Sequence, residues 1–258
     1  MITGEGVGPR IIRRIGRFIA GRLPYIPLPV LRGPLRGTWF ILGSFAGPGG
    51  GGSVYFHMVE PEQAEAIASV LRPGDVFIDI GANVGFYTIL ASKRVGEKGR
   101  VYAIEPFLRN LFLLSIHVKI NRCSNVVIVP AACADVSDIA LFQPGRNPAE
   151  GRILSSADNV DAALKMAPVP AISLDNLCKN LSVCPSVLKI DVEGAELRVL
   201  QGARETLRRC KPYLFISVHS DQMRRDVLSF LDEMEYRAEP IGRDKVEDAN
   251  EFYASGIA

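Results

Sequence analysis

The sequence lacks the marks of membrane-spanning, secreted and disulfide-stapled proteins. No apolar run approaches the roughly 18 residues that a membrane span requires, and the start has no charged segment, apolar stretch and small-residue cleavage pattern of a secretory signal. There are only five cysteines, an odd number with no C-x-x-C pair. Cys123, Cys133, Cys178, Cys184 and Cys210 suit neither a disulfide framework nor a zinc site, and read as reduced thiols in a reducing compartment. Internal repeats are missing too. A soluble, cytoplasmic protein follows by default. What is present is an ordinary globular composition, with 48% hydrophobic and 22% charged residues in a chain of 258. A chain of this length buries roughly three quarters of the surface its unfolded form exposes, so its core needs no staple.

The net charge of +2 hides an asymmetry. Residues 1–53 carry seven arginines (Arg10, Arg13, Arg14, Arg17, Arg22, Arg32 and Arg36) and one acid, Glu5, while the rest has 23 basic against 27 acidic residues, a balance of −4. In the leader, Ile11, Ile12, Ile15, Phe18 and Ile19 fall on one side of a helix and Arg10, Arg13, Arg14 and Arg17 on the other. Such a helix can lie on an anionic membrane or acidic partner through residues 10–22, or cap the main domain with its apolar side. Pro24 to Pro34 excludes regular helix, Gly49 to Gly52 reads as a link, and the boundary is placed near 53–60. The expected organisation is a basic leader, 1–53, and one domain, 54–258. Because that domain is net acidic, nucleic acid is not an expected partner.

From residue 61 strands and helices alternate. Helices are expected over 61–71, 86–95, 108–121, 195–209 and 221–234, and strands over 76–80, 100–104, 126–130, 187–190 and 213–218. This rhythm predicts an α/β fold, a doubly wound, mostly parallel sheet with right-handed crossovers. It breaks between Asp135 and Asp175, where Ala140-Leu141-Phe142 and Val169-Pro170-Ala171-Ile172 are strand candidates around a polar loop, 145–161. An insertion of that length reads as a lid or specificity loop.

Three strand ends carry chemistry. Asp79-Ile80-Gly81-Ala82-Asn83-Val84-Gly85 is a strand ending in an acid and a glycine turn that opens a helix. Tested against the dinucleotide fingerprint G-x-G-x-x-G, Gly81 fits the first position, but Asn83 holds the second and Phe86 the third. The second glycine lets the backbone approach a pyrophosphate. Asn83 blocks that approach and Asp79 adds negative charge, favouring a cofactor with a cationic, phosphate-free end, a description S-adenosylmethionine meets. Glu105 ends the next strand 26 residues after Asp79, where an acid can accept both ribose hydroxyls. Asp135, soon after the third strand, can accept from an adenine amino group. Lys189-Ile190-Asp191-Val192-Glu193-Gly194-Ala195-Glu196 crowds charge onto one strand-to-helix turn. Capping explains Glu193 or Glu196, but not Lys189 and Asp191 in an apolar strand, where charge is costly unless paired. His219, at the end of 213–218, is a candidate general base.

These segments resemble the FkbM-type methyltransferases of the class I, Rossmann-like superfamily. The matching stretches are Pro73-Gly74-Asp75 through Gly85, Val101 to Pro106, Asn125 to Asp135, Ser173-Leu174-Asp175, and Leu188 to Glu196 with Leu200-Gln201-Gly202-Ala203. Val59-Glu60-Pro61-Glu62 resembles the tyrosine–glutamate segment before the first helix of such proteins. The likeness spans about residues 59–238. It implies methyl transfer from S-adenosylmethionine to a hydroxyl of a sugar, lipid-linked glycan or polyketide. By that resemblance Asp79, Gly81, Asn83 and Gly85 hold the amino acid end, Glu105 the ribose and Asp135 the adenine region. Many members place glutamate before the histidine, where this chain has Ser217-Val218-His219. In-line transfer needs the acceptor oxygen placed and deprotonated, with His219 and Asp191 as candidate bases and Glu193 orienting the hydroxyl. Carboxylates suit magnesium, but no metal is expected. Two readings compete: an NAD-dependent oxidoreductase, against which the missing second glycine argues, and a non-catalytic cofactor-binding domain docking on a membrane or partner.

Overall fold

The structure, a computed structural model, describes residues 26–44, 53–144, 151–154 and 167–257. The amphipathic segment at 10–22, the glycine link at 49–52 and most of the loop at 145–161 lie outside the described residues.

The chain opens with an antiparallel pair, β1 (Pro27–Pro29) and β2 (Trp39–Ile41). Helix α1 (Pro61–Val70) follows, with proline in its first turn, where no intrahelical N–H partner is lost. Then come β3 (Val76–Ile80), α2 (Phe86–Val95), β4 (Arg100–Ile104), α3 (Leu108–Ile120) and β5 (Val126–Val129). The insertion forms β6 (Ala132–Cys133), β7 (Asp138–Pro144), β8 (Gly151–Leu154) and β9 (Ala167–Ile172). After it run α4 (Leu174–Leu181), β10 (Val187–Ile190), α5 (Glu196–Gln201), α6 (Arg204–Cys210), β11 (Tyr213–Ser217), α7 (Asp221–Glu233), β12 (Tyr236–Pro240) and β13 (Glu251–Gly256).

Seven strands make one sheet in the order β12-β13-β11-β10-β3-β4-β5, parallel except for β13, which is antiparallel to both neighbours. Alternate residues of β3 enter different cores: Phe77 packs with helices α1 and α2, whereas Ile78 and Ile80 pack with α4, α5, α6 and α7. Burial on both faces is why these strands read as continuous apolar runs. The chain winds one way from β3 to β4 and β5 and the other way from β10 to β11, so the topological switch lies between β3 and β10. Ligands in such sheets lie outside the strand carboxyl ends at that switch.

Several expectations need correction. The single helix expected over 195–209 is two, broken at Gly202 and Ala203. Asp175 causes the break: its carboxylate accepts from the N–H groups of Glu205 (3.0 Å) and Thr206 (2.7 Å), capping α6, while its own N–H donates to the Gly202 carbonyl (2.9 Å). The Ala140 and Val169 strand candidates do form strands, in β7 and β9, and these join β6 and β8 in a separate four-stranded sheet. The reading of all five cysteines as free thiols also fails, because Cys184 and Cys210 are joined in a disulfide. That bond withdraws the cysteine argument for a reducing compartment. No helix among the described residues is long and apolar enough to cross a membrane.

Residues 26–44 share the core of the sheet. Val30, Leu35 and Phe40 are buried in one cluster with Ile67, Phe77 and Leu90. His117 on α3 ties β2 down: its Nε2 accepts from the Ile41 N–H (3.0 Å) and its Nδ1 lies 2.7 Å from the Val84 carbonyl. Burial lowers its pKa, keeping the ring neutral and able to do both.

Candidate functional site

A cavity of about 260 Å³ opens at the switch point, outside the carboxyl ends of β3, β4, β10 and β11. Its floor is the turn after β3. Gly81 must be glycine there: a Cβ would lie 1.9 Å from the backbone oxygen of Asp191, so the β3 and β10 turns meet only without a side chain. Asn83 follows with φ 50°, a left-handed conformation that asparagine tolerates better than most residues.

Glu105 lies on one side of the cavity. Its carboxylate accepts from the Asn83 N–H (2.8 Å), the Phe107 N–H (2.9 Å) and Asn110 Nδ2 (3.4 Å). Burial pushes its pKa up to about 7, against the lowering effect of these donors. Ala131, Ala132, Cys133 and Phe142 line the cavity near it.

The other side is a chain of charges from β10 and β11. Lys189, 1% exposed, reaches Asp191 Oδ2 (3.1 Å), donates to Ser217 Oγ (3.0 Å) and lies over the Tyr87 ring, 5.1 Å from its centre. A buried ammonium needs such company. Burial alone would lower its pKa, but Asp191, Glu60 and Asp79 outweigh that and raise it. Ahead of Lys189, Asp191 Oδ1 lies 3.0 Å from His219 Nε2, while His219 Nδ1 is 3.6 Å from Glu193 Oε2. Burial would raise the Asp191 carboxyl, yet Lys189 and His219 hold it well below the usual carboxylate range. The Asp191 hydrogen bond pushes His219 up to about 9, so the ring is an imidazolium at neutral pH. Asp191, Glu193 and His219 each present an atom within 4.8 Å of the others, a set that could hold a divalent cation. With His219 protonated, the imidazolium itself supplies positive charge between the two carboxylates.

Gly81, Asn83, Glu105, Asp191, Glu193 and His219 therefore meet around one cavity. Asp79, Gly85 and Asp135, expected at the cofactor, do not line it. The Asp79 carboxylate is 2% exposed and accepts from Thr88 Oγ1 (2.5 Å), with its pKa pushed up to about 6 by burial. Gly85 begins α2 with φ 96°, and its missing Cβ leaves room for Leu114. Asp135 pairs with Arg198 at 2.8 Å on the surface. Glu60 and Tyr87 line the cavity without having been singled out as site residues. Glu60 carried a sequence signal, its place in the Val59-Glu60-Pro61-Glu62 segment before α1 that resembles the family's tyrosine–glutamate segment, whereas Tyr87 carried none.

The cavity lining suits a positively charged ligand. It holds four carboxylates, on Glu60, Glu105, Asp191 and Glu193, against the one imidazolium of His219, and no lysine or arginine among the described residues. A pyrophosphate would meet that charge unfavourably.

The family described as the methyltransferase FkbM domain matches residues 79–238. Among curated proteins the chain is similar to the hexuronic acid methyltransferase AglP of Haloferax volcanii, 27% identical over 180 residues, 67% of this chain and 68% of that protein. It is also 31% identical over 154 residues to the "Probable cobalt-precorrin-6B C(15)-methyltransferase (decarboxylating)" of Sulfurisphaera tokodaii, covering 57% of this chain and 77% of that one. Among solved structures, a methyltransferase FkbM from Methylobacillus flagellatus superposes with a TM-score of 0.51 at 19% identity, over 96% of this chain and 60% of that one. This chain thus spans less than two thirds of that protein, and the likeness speaks for the fold.

Proposed function

The chain belongs to the FkbM methyltransferase family, and on that premise we propose that it is an S-adenosylmethionine-dependent O-methyltransferase acting on a hydroxyl of a sugar, glycolipid or polyketide-type small molecule. The observation that carries the cofactor reading is the cavity at the switch point with four carboxylates and no lysine or arginine among its described residues. S-adenosylmethionine supplies a methyl group on a positively charged sulfur, a cation such a lining attracts. In this reading Glu105 accepts the ribose hydroxyls, with Gly81 and Asn83 forming the turn beneath. The hexuronic acid methyltransferase among the relatives supports a glycan acceptor.

His219, Asp191 and Glu193 then handle the acceptor. Its oxygen must lie in line with the departing sulfur and lose its proton as the O–C bond forms. Glu193 orients the hydroxyl, neutral His219 takes the proton at a ring nitrogen, and Asp191 stabilises the resulting imidazolium. The basic leader, through residues 10–22, would hold the enzyme at an anionic membrane carrying lipid-linked acceptors.

Calorimetric titration with S-adenosylmethionine, S-adenosylhomocysteine and NAD, repeated on Glu105→Ala, tests the cofactor. Binding of the first two, weakened at least tenfold in the variant, is expected, and binding of NAD alone overturns the reading. Transfer of a labelled methyl group to a panel of hydroxylated glycans and lipids then tests the acceptor class.

A further inference from the structure

Glu60 is held in an unfavourable conformation at the cavity wall. It is the residue before α1, and its backbone is left-handed (φ 39°, ψ 56°) without being glycine or asparagine. Such a conformation costs about 1–2 kcal/mol and persists where the surroundings impose it. Its side chain makes no capping hydrogen bond to α1. Helix capping therefore does not account for its placement.

The carboxylate is instead fixed at the cavity. Tyr87, 8% exposed and also lining the cavity, donates its hydroxyl to Glu60 Oε2 at 2.5 Å. The other oxygen, Oε1, has no hydrogen-bond donor among the described residues. The Tyr87 ring lies 5.1 Å from Lys189 Nζ of β10, which places the Glu60–Tyr87 pair on the β10 side of the cavity. Glu105 stands at the end of β4, across the turn after β3. The lining thus has a carboxylate at the ribose position and another, pre-oriented, on the opposite side.

We propose that Glu60, oriented by Tyr87, binds the α-ammonium of the cofactor's amino acid end. The inference rests on the S-adenosylmethionine reading above. An ammonium meets two needs of this site: it supplies hydrogen-bond donors to Oε1, and it compensates a carboxylate in a lining that also holds Glu105, Asp191 and Glu193. Lys189 cannot do this alone, because Asp191 already takes its ammonium at 3.1 Å. The strained backbone is then the cost of pre-organising the carboxylate before the ligand arrives.

The test compares ligands with and without the amino acid end. S-adenosylhomocysteine carries the ammonium but no sulfonium, and 5′-methylthioadenosine carries the nucleoside and sulfur but no amino acid. Both are titrated by calorimetry into the wild type, Glu60→Gln and Tyr87→Phe. Gln keeps an acceptor for Tyr87 and removes the charge, while Phe removes only the orienting hydroxyl. Glu60→Gln is expected to weaken S-adenosylhomocysteine at least tenfold and 5′-methylthioadenosine less than twofold, with Tyr87→Phe giving a three- to fivefold loss of the first alone. Equal losses for both ligands, or none, overturn the inference. Should Glu60→Gln not fold, the same selectivity in Tyr87→Phe decides. Failure of the wild type to bind either ligand sinks the cofactor reading itself, an outcome distinct from binding without selectivity.

Discussion

Asp191 stands between two cations, Lys189 behind it in the sheet and His219 in front at the cavity. Removing its charge takes away the main cause of the raised His219 pKa. Asp191→Asn is expected to move the His219 titration, followed by NMR, from about 9 toward the ordinary 6.5, while methyl transfer falls at least about 100-fold. An unchanged titration would show that Asp191 is not the cause. A histidine whose folded pKa is raised contributes stability that is fully present below its unfolded pKa, about 6.5, and is lost as pH rises through about 9. In the wild type, transfer should rise with pH toward about 9 as the ring becomes neutral, and this limb should vanish in His219→Ala. Glu105 behaves oppositely. Burial holds it up to about 7 in the free protein, and hydroxyl donors favour its ionised form. Cofactor binding near pH 6–7 should therefore release protons, visible as a dependence of the calorimetric heat on buffer ionisation enthalpy. Heat independent of the buffer would remove Glu105 from the ribose.

At the scale of elements, the turn after β3 is the most tightly specified. Gly81→Ala would combine a positive φ of 83° with a Cβ 1.9 Å from the Asp191 oxygen. A cost of about 2–4 kcal/mol is expected in denaturant unfolding, with cofactor affinity reduced at least tenfold; a variant that unfolds and binds like the wild type would show that the two turns can separate freely. The strands that frame this turn were legible because β3, β4, β10 and β11 are short apolar runs ending in a charge, glycine or histidine. Glu105, Asp191 and His219 were legible for the same reason, as polar groups at strand ends. Asp79 lies off the cavity lining because it turns to Thr88 of α2, whose hydroxyl donates to it, and Asp135 because Arg198 reaches it from α5. The α5–α6 break is set by Asp175, 30 residues before Glu205, so local periodicity carries no trace of it. Strands β12 and β13 mix Arg237, Glu239 and Glu251 with apolar residues, as half-exposed strands at a sheet margin do, and their pattern is weak. Glu60 sits at no strand end; the likeness of its segment to the family's marked the stretch, and its left-handed backbone and its bond to Tyr87 show that it faces the cavity.

At the scale of the molecule, the disulfide lies far from the cavity. Cys184 precedes β10 and Cys210 ends α6, bridging 26 positions of sequence. Closing a loop of that length stabilises by about 3 kcal/mol, chiefly through the unfolded chain, or roughly 6–12 °C in Tm for a domain of this size. Thiol titration of the denatured, unreduced protein should count three thiols, Cys123, Cys133 and Cys178, and reductant should lower Tm without abolishing cofactor binding. Five thiols before reduction would contradict the bond.

The packing of residues 26–44 into the core changes what counts as the inheritable unit. The family match, 79–238, begins at the fourth residue of β3 and stops inside β12. A fragment cut at those limits would discard β13, which alone joins β12 to β11, together with Phe40 and Ile67 from beneath the sheet. It would be left with a raw β11 edge and an opened core, both invitations to aggregate. The stretch recognisable across relatives is thus shorter than the stretch that packs together, and gene fragments, chimaeras or domain swaps built on this protein should keep β1 through β13 in one piece.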